Sequence, residues 1–350
     1  MPQPYHAIRT IPLPFNPPPG SALAFDAASR KLFIPAKKDI YVIDVDSGAL
    51  VGQVRKAGDI SDIAFAPEIN RGFAVDSDGH LAIFDLQTYA VLDKVHAGSE
   101  SRSVLFDPVT KKIFTVGAFS KQCKVFDAMS GKIVKTVKLG GYTYRGISDS
   151  MGHIYYELRP DAIGPHEIMG GVDVLARVSR QKVPCKIVEL NARTLEIENL
   201  WVEPSCINTH GIGVDSEYRR LVVACENSVD LIDADSGKII SAILFPPARP
   251  ALHILFSAGL RDAFILAGGA SQLIVLHENS ANALGFAGFV THESPLSMAF
   301  DEKNNQFLIL KSDVKMVEAP FMIEANGRTS PRQIPEPEPG TFRIVAYGKN

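Results

Sequence analysis

The sequence LIDADSGKIISAI, at residues 231–243, is the stretch from which the fold can be predicted. An apolar strand ends at Asp233, a tight Asp-Ser-Gly turn follows, and a second strand then alternates apolar and polar residues. Aspartate and serine bend the backbone through hydrogen bonds of their own side chains, and Gly237 tolerates the positive φ that such turns often need. The stretch therefore predicts a β-hairpin.

The hairpin recurs along the chain. Clear copies occupy residues 42–54, 83–95 and 125–137, and weaker copies begin at Ile187, Ile274 and Arg343. The anchor residues of the seven copies, separated by 41, 42, 62, 44, 44 and 70 residues, are Asp44, Asp85, Asp127, Glu189, Asp233, His277 and Tyr347. A second landmark, Phe-Asp in its clearest copies, recurs in phase with these anchors. A period in the low forties with four short strands per unit predicts the blades of a β-propeller.

The repeats predict one all-β domain over residues 1–350, a seven-bladed β-propeller with four-stranded antiparallel blades. We place the blades at about residues 21–58, 59–98, 99–140, 141–204, 205–247, 248–291 and 292–350. Residues 5–13 have the pattern of an outer strand, and the C-terminal copy lacks that strand. We therefore expect the N-terminal strand to pair into the last blade, which removes the free sheet edges of an open array.

Two of the units are longer than the others. About twenty residues are added between Glu157 and Val183, and nearly thirty between Lys311 and Gly340. Both insertions fall between the second and third strands of their unit, and such connections emerge on the same face as the links between blades. We name this face the loop-bearing face. Because long loops in compact domains are often functional, we expect any function to lie there.

Composition argues against several classes of function. The net charge of −3 creates no field that would favour nucleic acid or an anionic membrane. No run approaches the roughly 18 apolar residues of a membrane helix. The N-terminus has no apolar segment typical of a signal peptide, so we expect either a cytosolic protein or the mature form of an exported one.

Ionisable residues near the starts of the inner strands of blades 3 to 5, and in the blade 4 insertion, predict a binding site. The candidate ligand-binding residues are Arg102, Tyr144, Arg145, Glu157, His166 and His210. Guanidinium groups pair bidentately with carboxylates and phosphates, so a small anionic ligand is expected. His210 as a base with Tyr144 as its partner is the catalytic alternative, a lyase or a lactonase. Ordinary rim residues, or hydrogen-bond partners between blades, are the structural alternative.

No cofactor is predicted for this site. Nine histidines are present, and His210, His253 and His292 lie near the starts of inner strands, but no HxH or HxxxH spacing occurs. A divalent metal in the channel is therefore the lesser alternative. Cys206 and Cys225 bracket the inner hairpin of blade 5, so a disulfide between them is geometrically possible; reduced thiols are the alternative in the cytosol.

With the repeats laid out, the chain resembles the YVTN/YncE-like family of seven-bladed propellers over essentially its whole length. The resemblance rests on FDPVTKKIF at 106–114, DADSGKI at 233–239, APEINRGFAVDSDG at 66–79 and PGTFRIVAYG at 339–348. It implies the propeller fold and a role in binding, and members of this type are usually exported. We therefore predict a monomeric propeller that binds a small anionic ligand or a protein partner on the loop-bearing face around the central channel.

Overall fold

The chain folds into seven four-stranded antiparallel sheets whose inner strands contact one another in a closed ring, as the repeats predict. The computed structural model describes residues 5–18, 21–118, 120–143, 145–158, 184–207, 211–225, 228–244, 251–267, 272–291, 295–318, 322–323, 329–330 and 333–349. Within these ranges the helical content is one short 3₁₀ turn, Pro67–Ile69. The described part of the chain contains no helix with the length and apolar character of a membrane span.

Each blade runs outward from the channel in chain order, except the last. The N-terminal strand is β1 (His6–Pro12). Blades 1 to 3 consist of β2 (Ala24–Asp26), β3 (Lys31–Ala36), β4 (Asp39–Asp44) and β5 (Leu50–Val54); β6 (Ile60–Ala66), β7 (Arg71–Asp76), β8 (His80–Asp85) and β9 (Val91–His96); and β10 (Ser101–Asp107), β11 (Lys112–Gly117), β12 (Gln122–Asp127) and β13 (Ile133–Lys138).

Blades 4 to 6 consist of β14 (Gly146–Ser148), β15 (His153–Leu158), β16 (Pro184–Asn191) and β17 (Ile197–Ile207); β18 (Gly211–Asp215), β19 (Arg220–Ala224), β20 (Ser228–Asp233) and β21 (Ile239–Leu244); and β22 (Ala251–Ser257), β23 (Asp262–Ala267), β24 (Gln272–Ser280) and β25 (Ala283–Thr291). The remaining strands are β26 (Pro295–Asp301), β27 (Gln306–Lys311), β28 (Val314–Glu318), β29 (Met322–Ile323), β30 (Thr329–Ser330), β31 (Gln333–Pro337) and β32 (Arg343–Gly348).

The N-terminal strand closes the ring, which confirms the prediction. Blade 7 has the order β26-β27-β32-β1, and β1 pairs antiparallel with β32 from His6 opposite Gly348 to Pro12 opposite Arg343. Tyr5, directly before β1, is 1% exposed and packs against Phe264 of blade 6 and Phe307 of blade 7. Ring closure therefore rests on both backbone pairing and core packing.

The repeated hairpin has the predicted turn chemistry. In the copy at 231–243, one carboxylate oxygen of Asp233 accepts hydrogen bonds from the backbone N–H and the hydroxyl of Ser236, both at 2.8 Å. Gly237 has φ +71°, and a Cβ there would lie 2.0 Å from Cγ of Trp201 in the outer strand of blade 4. The glycine is thus required by the turn conformation and by the close approach of the neighbouring blade. Trp201 serves in packing, as its outer-strand position indicates.

Both long insertions lie between the second and third strands of their blades, as predicted. In blade 4 the insertion joins β15 to β16, and residues 159–183 lie outside the described residues. In blade 7 the insertion joins β27 to β32 and contains two short antiparallel strand pairs, β28 with β31 and, between them in the chain, β29 with β30. Because strands alternate in direction, these connections and the links between blades emerge on one face.

The opposite face holds a repeated contact between neighbouring blades, which we call the arginine clasp. The last residue of the turn after each inner strand has a positive φ in all seven blades. Where that residue is arginine, its guanidinium reaches a buried aspartate that ends, or directly follows, the inner strand of the preceding blade. The pairs are Arg30 with Asp301 at 2.9 Å, Arg261 with Asp215 at 2.6 Å, and Arg219 with Asp149 at 3.7 Å.

Two other junctions on that face use different partners. Blade 6 ends its inner strand with Ser257, and the hydroxyl donates a 2.8 Å hydrogen bond to Glu302 of blade 7. Blade 2 ends its inner strand with Ala66, and the following blade contacts it through Lys111 and Glu68 at 2.6 Å. These two junctions are therefore held by a serine–glutamate hydrogen bond and a lysine–glutamate ion pair in place of the arginine clasp.

Candidate functional site

The mouth of the central channel on the loop-bearing face contains a cavity of about 400 Å³. Its lining comes from blades 1 to 4 and their links. The described lining residues are Pro18, Ser21, Pro35, Lys37, Asp59, Ile60, Ser61, Ser77, Arg102 and Arg145. Arg102 and Arg145, two of the six candidates identified from the sequence, therefore lie in one cavity, which we call the mouth cavity.

A β-bulge directs Arg102 into the mouth cavity. In the pairing of β10 with β11, Ser101 lies opposite Gly117 and Ser103 opposite Val116, so Arg102 is the extra residue without a partner. A bulge of this kind re-aims the side chain of the inserted residue. The same irregularity occurs at Ser61 in blade 2, which also lines the cavity.

Arg145 lies where the mouth cavity meets the channel. It also lines a second cavity of about 380 Å³, which is enclosed by the inner strands of blades 2 to 6. Asp62 lines this channel and accepts hydrogen bonds from the backbone N–H of Val104 at 3.1 Å and of Ile63 at 3.0 Å. Burial raises the pKa of Asp62, and the positive charge of Arg145 opposes that rise. The channel entrance therefore contains an arginine and a carboxyl group that is easier to protonate than usual.

Positive charge predominates among the described residues of the mouth cavity. Lys37, Arg102 and Arg145 contribute three cations, whereas Asp59 is the one acidic residue among them and is paired with Lys38. Arg102 has an acidic neighbour, Glu100, at 3.9 Å, and both side chains are almost half exposed. Such a pair contributes little, so the guanidinium is available to a ligand.

The other candidates occupy different positions. Glu157 is in β15, opposite Ile187, and is 2% exposed, so it belongs to the interior of blade 4. Tyr144, His166 and His210 lie outside the described residues. Sequence reasoning missed Lys37, which follows the second strand of blade 1 with φ +58°. Lys37 could have been identified from its position at the end of a second strand, because the ends of these strands reach the loop-bearing face.

A disulfide joins Cys206 to Cys225, whose Cα atoms are 5.3 Å apart. Cys206 is near the end of β17 and Cys225 directly follows β19, so the bridge ties the link between blades 4 and 5 to blade 5 on the loop-bearing face. Cys123 is a free thiol, and burial raises its pKa to about 12.

Two groups of side chains in the described part of the chain bring potential metal ligands together, and neither lines the mouth cavity. The first contains Cys206 and Cys225, whose sulfurs are joined to each other, with Asp230. The second contains His153, Glu189 and Glu198. Glu189 in that group already accepts hydrogen bonds from Tyr155 and Asn199, and a guanidinium nitrogen of Arg219 is 3.6 Å away. A neighbouring fixed cation disfavours a metal ion there.

The fold and the site define a class, a seven-bladed β-propeller with a positively charged cavity at one mouth of its channel. Solved structures with a similar fold are numerous, and 1692 chains match. One is the hydrazine synthase of Kuenenia stuttgartiensis, with a TM-score of 0.67 over 85% of this chain and 94% of that chain, and 11% sequence identity. At that identity the similarity shows the fold alone. No family model and no curated protein matches the sequence.

Proposed function

We propose that the protein is a binding propeller that holds a small anionic ligand in the mouth cavity. The observation that supports the proposal is the presence of Arg102 and Arg145, from two different blades, in one cavity of about 400 Å³. A cavity of this size accommodates a small metabolite, and two guanidinium groups are able to grip a carboxylate or phosphate from different sides.

Electrostatics supports the same proposal. The cations of Lys37, Arg102 and Arg145 are opposed in the cavity by Asp59, which is already paired. A cation cluster held by a rigid ring attracts anions and costs little reorganisation when the ligand binds. The ligand is expected to carry one or two negative charges, and its affinity should fall as salt concentration rises.

We also propose that the chain is a member of the YVTN/YncE-like propellers. The seven blades and the recurring Asp-Ser-Gly turn support this assignment. A protein partner on the loop-bearing face remains the alternative occupant predicted from the sequence. The lyase or lactonase alternative depends on Tyr144 and His210, which lie outside the described residues, and it stays a sequence-based prediction.

A thermal-shift screen of carboxylates and phosphate esters tests the anion proposal. At least one compound should raise the melting temperature of the wild type, and Arg145→Ala or Arg102→Ala should weaken its binding about tenfold, the loss of one charge-assisted contact. Arg193→Ala is the matched control, because Arg193 is an exposed arginine in the turn between β16 and β17, on the opposite face. Equal binding by Arg145→Ala, Arg102→Ala and the control would refute the proposal.

A further inference from the structure

A second cavity opens between blades 2 and 3 and shares none of its described lining residues with the mouth cavity. Its volume is about 250 Å³. The polar side chains around it come from the end of blade 2, the link to blade 3, strands β11 and β12, and the connection between these two strands. They are His96, Ser99, Thr115, Ser120, Gln122 and Lys124. We call this space the junction cavity.

Strand geometry explains why polar groups face blade 2 at this point. Thr115 and Lys124 are paired across β11 and β12, so their side chains lie on the same face of blade 3. Two residues along each strand, Ile113 and Phe126 occupy that face and pack into the apolar cluster shared with blade 2. This face of blade 3 therefore changes from apolar to polar over two residues along each strand.

Two of these groups have unused hydrogen-bonding capacity. Thr115 is 1% exposed, and its hydroxyl has no hydrogen-bond partner among the described residues. A buried hydroxyl without a partner is costly, so native proteins rarely keep one without a reason. The ammonium of Lys124 has no carboxylate partner within the described part of the chain, and no described lining residue of the junction cavity is acidic.

The backbone beside the ammonium leaves room for a ligand. Gly98 lines the junction cavity with φ +111°, and a Cβ at this position would lie 3.6 Å from both Cε and Nζ of Lys124. Glycine therefore keeps open the space next to the positive charge. The volume of the cavity is below the roughly 300 Å³ at which pockets for drug-sized molecules begin, which restricts the occupant to a small one.

We propose that the junction cavity is a second binding site, for a small molecule bearing a phosphate or carboxylate group, with the Lys124 ammonium and the Thr115 hydroxyl as its principal donors. The ammonium supplies positive charge, and the buried hydroxyl supplies a hydrogen-bond donor held in a fixed position. His96, Ser99 and Gln122 complete a lining whose side chains are able to donate hydrogen bonds.

Calorimetric titration of the full chain with inorganic phosphate, in a buffer free of phosphate and carboxylates, tests this proposal. Lys124→Met should weaken phosphate binding about tenfold or more, because one charge-assisted contact is lost. Lys124→Arg keeps the charge and should retain binding. Lys132→Met is the control, because Lys132 is an exposed lysine in the turn between β12 and β13, on the opposite face.

Thr115→Val separates a role in binding from a role in folding. It should weaken phosphate binding about tenfold, yet it should not lower the melting temperature of the free protein, because it removes a buried hydroxyl that has no partner. Phosphate binding that is absent from the wild type, or equal in Lys124→Met and the control, overturns the proposal.

Arg145→Ala distinguishes the two sites. Phosphate binding that depends on Lys124 and survives Arg145→Ala supports the junction cavity, whatever happens at the mouth cavity. Phosphate binding that is lost in Arg145→Ala and intact in Lys124→Met overturns the second site and leaves the mouth cavity supported.

Discussion

Ring closure makes a quantitative prediction at Tyr5. The side chain is 1% exposed, its ring centroid is 4.5 Å from that of Phe307, and its hydroxyl donates a 2.8 Å hydrogen bond to Asp262 of blade 6. Replacing a buried aromatic residue by alanine costs about 3–5 kcal/mol. Tyr5→Ala should therefore lower the free energy of unfolding by that amount, a large part of the 5–15 kcal/mol that is typical of a whole domain.

Tyr5→Phe isolates the hydrogen bond. Asp262 keeps Lys349 at 2.9 Å and His277 at 2.8 Å, so its carboxylate does not become an isolated buried charge. The expected loss is about 1–2 kcal/mol, the contribution of one hydrogen bond to a charged acceptor. The pKa of the Tyr5 hydroxyl is raised by burial and by the charge of Asp262, so the donor stays protonated at all pH values of interest.

Equilibrium unfolding in urea, followed by circular dichroism, measures both effects. Ile8→Ala is the matched control, because Ile8 lies in the same closing strand but is 44% exposed, and its replacement should change stability by less than about 0.5 kcal/mol. If Tyr5→Ala unfolds at the same urea concentration as Ile8→Ala, the closing strand does not contribute to global stability, and the closure argument fails.

Two further predictions concern the disulfide and a buried carboxyl group. Cys206 and Cys225 are 19 residues apart, so replacing both by serine should lower the free energy of unfolding by about 3 kcal/mol. Reductant should destabilise the wild type but not this double variant. A wild type whose stability does not change with reductant would contradict the prediction. Burial and the nearby charge of Asp215 raise the pKa of Glu278 to about 7, above its unfolded value near 4.3, so the folded state holds this proton more tightly. Its favourable contribution is complete below about pH 4.3 and is lost as pH rises through 7. Glu278→Gln should flatten the pH dependence of stability between pH 5 and 8 in urea titrations, and an unchanged slope would refute the assignment.

The sequence predicts the ring because the information for it is local and repeated. An Asp-Ser-Gly turn bends the chain by contacts within four residues, as between Asp44 and Ser47, and these contacts do not depend on distant parts of the protein. The closing strand was predictable for a related reason, since one unit lacks a strand and an unassigned strand lies at the other end.

The site was only partly predictable, because it depends on which way side chains are directed. Arg102 and Arg145 were identified by their position relative to the inner strands, but the bulge that directs Arg102 into the mouth cavity leaves no residue signature. Glu157 was assigned to a loop near the site, yet the second strand of blade 4 extends to Leu158 and buries it. The junction cavity was missed because the pairing of Thr115 with Lys124 depends on register, which a single sequence does not specify.

The arginine clasp restricts which blades can be neighbours. Arg30, Arg219 and Arg261 each require a carboxylate on the neighbour before them, whereas blade 6 presents Ser257 at that position. Moving an arginine-bearing blade so that it follows blade 6 would place its guanidinium against Ser257 and leave it without a carboxylate, and a buried charge without a partner is strongly destabilising. The units are thus alike in backbone, but a blade that carries the arginine is restricted in which blade can precede it. A duplicated blade that carries the arginine is therefore expected to be tolerated behind a blade whose inner strand is followed or ended by aspartate.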